Sequence, residues 1–330
     1  MIRQCLSPLP APPLAERRAL LSLNRDLATH DRQLAALPCM TAIETGGAGG
    51  TALSFPLTVA AWNVERCLFP EASASLLRDT GAALVLLSEM DSGMSRTAQR
   101  HTTAEMAGHL GMSWAYGVEF LELSLGSESE RAFCSDAENL RGFHGNALMS
   151  QGNLSDPFLI RLPGLRHWFL QATDQPRLGE RMAIGARIDT AQGPFIAVST
   201  HLESVADAAQ RSAQMQHIMD EIEAGFPGLP VLIGGDLNTG NHIGGDWRAE
   251  TLFDQARARG FAVHGGPENL MTTRPSLITR WPDRAMKLDW FLTRGLRVSA
   301  SAILPALDSD AQPLSDHDPI LCRIEGFEAS

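Results

Sequence analysis

The feature that most constrains this chain is a recurrence of short apolar runs, each ending in polar residues, several of which can bind a metal or move a proton. LTVAAWNVE (57–65), ALVLLSEMD (83–91), NALMS (146–150), MAIGARI (182–188), FIAVSTHLE (195–203), VLIGGDLN (231–238), KLDWFLT (287–293) and PILCRI (319–324) follow one another along the chain. Runs this short and this apolar are strands covered on both faces. Helix-like stretches near 73–79, 95–111, 204–224 and 248–260 separate several of them, which predicts an α/β fold. In such sheets the crevice opens at the carboxyl ends of strands, where these polar residues stand.

Ahead of the first run, leucines at 14, 20, 21, 23, 27, 34 and 37 predict an N-terminal helix, and Gly46 to Gly50 reads as a flexible connector. The expected division is therefore residues 1–50, a helical extension and connector, and 51–330, the compact main domain. Two stretches interrupt the strand rhythm and read as surface insertions: 117–144, rich in Glu and Ser, and 240–286, rich in Gly, Arg and Trp.

Asp236 and Asn238 in GGDLN are two apart, so on an extended backbone both project to one side, and Gly234 and Gly235 leave room there for a phosphate or metal. The alternative for this segment is an Asx-turn after the strand. Glu89 follows an apolar run in which a carboxylate is costly unless paired or metal-bound; Asp91 reads as the start of a loop. Asn63 in WNVE holds Glu89 in place or ligates the metal itself. Asp316 and His317 adjoin in SDHDP, a carboxylate for metal beside an imidazole whose ordinary pKa lies near neutrality. Asp289, embedded in KLDWFLT, is the orienting partner for His317, unless Lys287 pairs with it. His201 in STHLE is placed to donate to a non-bridging phosphate oxygen.

Composition narrows the partners. With 27 Lys+Arg against 38 Asp+Glu, the formal charge of -11 disfavours a polyanion substrate. Five scattered cysteines without a paired spacing argue against a disulfide framework or zinc site. The first residues lack a continuous apolar leader, and no stretch reaches the roughly 18 apolar residues of a membrane helix. The expectation is a cytoplasmic protein.

Taken in order, WNVE, SEMD, GNALMS, STHLE, GGDLN, KLDWF and SDHDP resemble the motifs of the endonuclease/exonuclease/phosphatase superfamily, across about residues 57 to 325. That resemblance implies a four-layer α/β sandwich, two mixed sheets packed face to face with helices outside. It also implies a metal-dependent phosphoric ester hydrolase. Asn63, Glu89, Asp236, Asn238 and Asp316 would serve the metal, with His201, Asp236, Asn238, Asp289 and His317 as catalytic residues and His317 as the base. A hard-oxygen ligand set suits Mg²⁺, with Mn²⁺ as a substitute. Arg211 and Gln214 match an Arg-x-x-Gln pattern of the superfamily and are expected to join helix to sheet, while Arg181 is expected at the surface.

His201 stands where abasic-site endonucleases carry Asn, which places the chain nearer the deoxyribonuclease I, sphingomyelinase and 5-phosphatase branches. The favoured reading is hydrolysis of a small-molecule or lipid-derived phosphoester, preferably a diester. A nuclease is the alternative, for which Arg274, Arg280, Trp281 and Arg284 would form a basic rim. A noncatalytic binding module on the same fold is a third. Trp247 and Trp281 are candidates for a lipid contact.

Overall fold

The computed structural model describes all residues except Thr51, 172–174, 242–243, Arg280 and Ser330. Its strands, in chain order, are β1 (Glu44–Gly46), β2 (Leu57–Arg66), β3 (Ala82–Ser92), β4 (Ser113–Glu122), β5 (Phe143–Ser150), β6 (Leu154–Arg161) and β7 (Arg177–Gly179), then β8 (Met182–Thr190), β9 (Gly193–His201), β10 (Val231–Asp236), β11 (Ala262–His264), β12 (Asp289–Arg294), β13 (Leu296–Ile303) and β14 (Ile320–Phe327). The helices are α1 (Leu14–Leu21), α2 (Leu27–Ala36), α3 (Pro70–Asp79), α4 (Thr102–Leu110), α5 (Glu128–Arg131), α6 (His167–Leu170), α7 (Ala208–Gly225) and α8 (Leu252–Ala258). Eight strands form one mixed sheet, ordered β1-β4-β5-β3-β2-β14-β13 with β7 beside β4, and six form another, ordered β11-β12-β10-β9-β8-β6.

Period-two burial explains why two sheets stack and why the strand sequences are apolar throughout. Along β2, Leu57, Val59 and Ala61 pack with Leu84, Leu86, Phe195, Ala197, Leu232 and Phe291 between the sheets. The intervening Ala60, Trp62 and Val64 face outward onto Ala74 and Leu77 of α3 and Met106 and Ala107 of α4. The second sheet repeats the pattern: Ile196 and Val198 of β9 meet Met215, Ile218, Met219 and Ile222 of α7. These α7 positions recur at helical spacing, and Asp207 starts the helix by accepting from Gln210 N at 2.8 Å. The result is the expected sandwich of two mixed sheets with helices outside.

The expected single N-terminal helix is two, because the chain breaks after Leu21 and restarts where Asp26 caps α2 through Thr29 N at 2.8 Å. Residues beyond them join the first sheet, with β1 pairing antiparallel to β4. Gly50 N donates to Gln151 O, so the glycine run lies against the turn after β5.

GGDLN needs its glycines for the sheets themselves. A Cβ on Gly234 would lie 2.6 Å from Phe291 and 2.8 Å from Leu86, inside the sandwich, and one on Gly235 (φ +142) would lie 2.0 Å from Thr200 O of the neighbouring strand. The room expected there for a phosphate or metal is instead occupied by close sheet packing.

The candidate active site

Pairing register brings the polar strand ends to one place. Asp236 lies opposite Asp289 across the antiparallel β10–β12 pair and beside His201 across the parallel β9–β10 pair. Asn63 and Glu89 lie near the carboxyl ends of the parallel strands β2 and β3 of the facing sheet. His317 precedes β14, which runs antiparallel to β2. One rim of both sheets therefore carries residues separated by as many as 254 positions in the chain.

Asn63 joins the two sheets: its Nδ2 donates to Glu89 Oε1 and Asp236 Oδ2, each at 3.1 Å. Its Oδ1 accepts from Glu65 N, also at 3.1 Å. Glu89 stands in left-handed backbone (φ +60) at an irregularity in the β3–β5 ladder, which redirects its side chain. Its second oxygen pairs with the Arg66 guanidinium.

His317 is held from every side. Its Nδ1 donates to Asp289 Oδ2 at 2.8 Å, and its Nε2 lies 3.7 Å from Asp236 Oδ2 and 4.0 Å from Asp316 Oδ1. Trp62 Nε1 donates to its carbonyl, and Ser315 Oγ, itself donating to Asn63 O, accepts from its backbone N. Burial works against a charged imidazole here, but Asp289, Asp236 and Asp316 outweigh it and raise its pKa to about 10. Asp236 is raised as well, by burial and then by Asp289 against the pull of His317.

The other histidine has a different environment. Arg181 NH1 donates to His201 Nδ1 at 2.8 Å, and a guanidinium has no acceptor, so Nδ1 is bare and Nε2 carries the proton. Nε2 points at Asp236, 3.4 Å away. Burial and then Arg181 hold His201 well below the usual histidine range, hence neutral. Arg181 was expected at the surface; it is buried, and Glu119 and Glu203 hold it at 3.2 and 3.3 Å. An arginine just before an apolar strand carries no signal of such burial.

Two expected ligands stand apart. Asn238 lies beyond the strand at φ +50, its N donating to Asp236 Oδ1 at 2.8 Å, so the Asx-turn alternative is the one observed and the extended geometry is not. Its Nδ2 donates to Leu202 O, and Asn241 donates to its Oδ1. Asp316 borders the solvent, and its backbone N donates to Glu65 Oε2 at 3.0 Å. Glu65, passed over in the sequence, is buried and pushed up to about 8 by burial and by Asp316. Its position two residues past Asn63 was the available signal.

Lys287 is not the partner of Asp289. It donates to the carbonyls of Pro267 and Leu270, at 2.5 and 3.2 Å, and so pins the second insertion. That insertion clamps the His317 turn, with Arg274 N donating to Asp316 O and Asp318 N to Thr272 O. Asp91 is buried in β3 rather than beginning a loop, held by Arg96 through two 2.8 Å bonds and by His144 at 3.0 Å. The stretch 117–144 likewise contains buried carboxylates, Glu119, Glu122 and Glu130, rather than only solvated ones. Arg211 and Gln214 anchor α7 to its surroundings, Arg211 on Glu250 and Ala206 O, Gln214 on Pro163 O. Of the proposed basic rim, Arg274 is paired with Asp318 and Arg284 with Asn241, while Arg280 lies outside the described residues. Trp247 packs edge-on against Phe253 and at a tilt against Trp290; Trp281 is 67% exposed.

Oxygen donors dominate this rim, and two observations fit a hard cation. The ligand atoms of Asp236, Asp289 and His317 lie within 4.8 Å of one another, and Asp289 Oδ1 is buried without a hydrogen-bond partner. Asp236 accepts from Asn63 Nδ2 and from Asn238 N, so Asp289 Oδ1 is the carboxylate oxygen of this group without a hydrogen bond, with Glu89 across Asn63.

Residues 60–317 match the model of the Endonuclease/Exonuclease/phosphatase family. Several solved structures share the fold. An endonuclease/exonuclease/phosphatase from Beutenbergia cavernae has a TM-score of 0.57 at 17% identity, covering 83% of this chain and 72% of that one. The human Nocturnin catalytic domain with bound sulfate has 0.56 at 18%, covering 87% and 97%. Truncated Caenorhabditis elegans TDP2 has 0.52 at 17%, covering 82% and 98%. Among curated proteins none matches the chain. No helix among the described residues is long and apolar enough to cross a membrane.

Proposed function

Because the chain belongs to the endonuclease/exonuclease/phosphatase family and is a phosphoric ester hydrolase, we propose that it hydrolyses a small-molecule or lipid-derived phosphodiester by in-line attack of water, with Mg²⁺ as its metal. The observation that carries this is the Asp289–His317 pair, closed at 2.8 Å, with His317 Nε2 directed at the rim where Asp236 stands. Asp289 accepts the Nδ1 proton and so leaves Nε2 as the atom that takes the proton of the attacking water. Neutral His201 donates its Nε2–H to a non-bridging oxygen as charge develops there, its tautomer fixed by Arg181.

Glu89 and Asp236, with Asn238 and Asp316 at the margin, are the oxygen donors assigned to the cation, and Asn63 holds the first two in place through its Nδ2. When bound, it supplies positive charge that neutralises phosphate oxygens and offsets the carboxylates now raising His317. Residues 51–330 form the catalytic domain on this reading, with 1–50 as its N-terminal extension, in a cytoplasmic protein. The acidic chain and the internal partners of Arg274 and Arg284 favour a small diester over a polynucleotide.

The test is hydrolysis of bis-p-nitrophenyl phosphate and p-nitrophenyl phosphate with Mg²⁺, Mn²⁺ or EDTA, beside a polynucleotide across a salt series. Faster metal-dependent release from the diester, abolished in His317→Ala, is expected. Release that survives His317→Ala would remove the proposed base. Preferential, strongly salt-dependent turnover of the polynucleotide would instead establish a nuclease.

A further inference from the structure

Glu89 has no free oxygen: Asn63 Nδ2 donates to one and the Arg66 guanidinium to the other. Resting on the reading of Glu89 as a metal ligand, we propose that Arg66 is a resident counter-cation of the metal centre, one that holds Glu89 until a divalent ion arrives and then retires onto Glu130.

The backbone builds Arg66 into this place. Glu65, Arg66 and Cys67 are consecutive left-handed residues (φ +44, +75 and +57), at a register shift in the β2–β3 ladder between Asn63 and Arg66, whose last pair is Arg66 with Met90. Non-glycine residues in that conformation are uncommon, and three together persist only where the surroundings hold them. Their effect is to end the strand and bring the arginine to Glu89.

The second anchor is equally fixed. Arg66 Nε donates to Glu130 Oε1 at 2.7 Å. Glu130, on α5 of the first insertion, also accepts from Arg96 at 3.0 Å, from Ser127 N at 2.6 Å and from Gln175. Arg96 is held in turn by Asp91 and Glu122. Arg66 therefore spans a replaceable contact on the site side and a rigid, buried one on the other. A cation approaching Glu89 repels the guanidinium, which gives up one pairing and retains its bond to Glu130.

This arrangement makes the two ends of the bridge act with opposite sign. Removing Arg66 takes away a positive charge that competes with the ion, so affinity for the ion rises. Removing the charge of Glu130 leaves Glu89 as the main anion of Arg66, so affinity falls. A merely structural bridge would weaken binding from either end.

The experiment titrates Mn²⁺ alone into the full chain by calorimetry and electron paramagnetic resonance, for wild type, Arg66→Gln, Arg66→Lys, Glu130→Gln and Glu89→Gln, with circular dichroism to verify folding. Arg66→Gln should bind roughly tenfold or more tightly and Glu130→Gln roughly tenfold more weakly. Arg66→Lys, which keeps the charge, should bind no more tightly than wild type and serves if Arg66→Gln does not fold. Undiminished binding in Glu89→Gln would overturn the ligand reading beneath the proposal. Weakened binding in Glu89→Gln together with unchanged or weaker binding in Arg66→Gln, or tighter binding in Arg66→Lys, would overturn the counter-cation itself.

Discussion

Asp289→Asn isolates what orientation and charge contribute at His317. The wild-type carboxylate is buried and accepts from Nδ1 at 2.8 Å. The rise of His317 from 6.5 to about 10 amounts to roughly 5 kcal/mol, at about 1.4 kcal/mol per tenfold in proton affinity. Unit charges about 4 Å apart at an effective dielectric near 20 attract by ~4 kcal/mol, and Asp289 is the foremost of the three carboxylates that offset burial, ahead of Asp236 and Asp316. Asparagine removes that charge and, presenting its NH₂, imposes the tautomer with Nε2 protonated, which cannot take a proton from water. The kcat on the diester should fall by ~10²–10⁴ with little change in KM, the range typical of a lost general base.

Stability carries a second signature. Because the folded pKa of His317 is raised, its ion pair stabilises fully below pH 6.5, and that stabilisation is lost as pH rises through about 10. Urea unfolding of the metal-free protein should show Asp289→Asn less stable by ~3 kcal/mol near pH 6, with the gap closing above pH 10. Long-range ¹H–¹⁵N spectra of the imidazole report the tautomer directly. A variant within fivefold of wild-type kcat, or one whose stability deficit does not narrow at high pH, would refute this account.

Four further substitutions test neighbouring parts of the molecule. His201→Ala should lower kcat by ~10²–10³ through loss of the Nε2–H donor, while Arg181→Met should move the His201 tautomer, visible in the same imidazole spectra. Gly235→Ala places a Cβ 2.0 Å from Thr200 O at φ +142 and should cost ~3 kcal/mol or more in urea unfolding. Leu86→Ala, between the sheets, should cost ~2–5 kcal/mol by the same assay while leaving kcat per folded molecule near wild type.

The strands legible in the sequence were those that read as continuous apolar runs, since such a run needs no partner to be recognised. Strands missed were those whose signal depends on context. Half the positions of β13 are exposed, and its Ser-Ala sequence resembles a loop. β4 carries Glu119 and Glu122, which read as surface residues because nothing in the chain announces Arg181, Arg96 and Arg177 as their buried partners.

By itself, the sequence determined the α/β class and the strand ends that carry chemistry, because apolar periodicity and lone polar residues within it are local properties. Tertiary structure alone decided which charges share an environment: Arg181 on His201, Arg66 between Glu89 and Glu130, Lys287 on carbonyls rather than on Asp289. Those pairings join residues distant in the chain across sheets and insertions, and an ion pair has no sequence period to betray it. Only packing brings its two halves within reach.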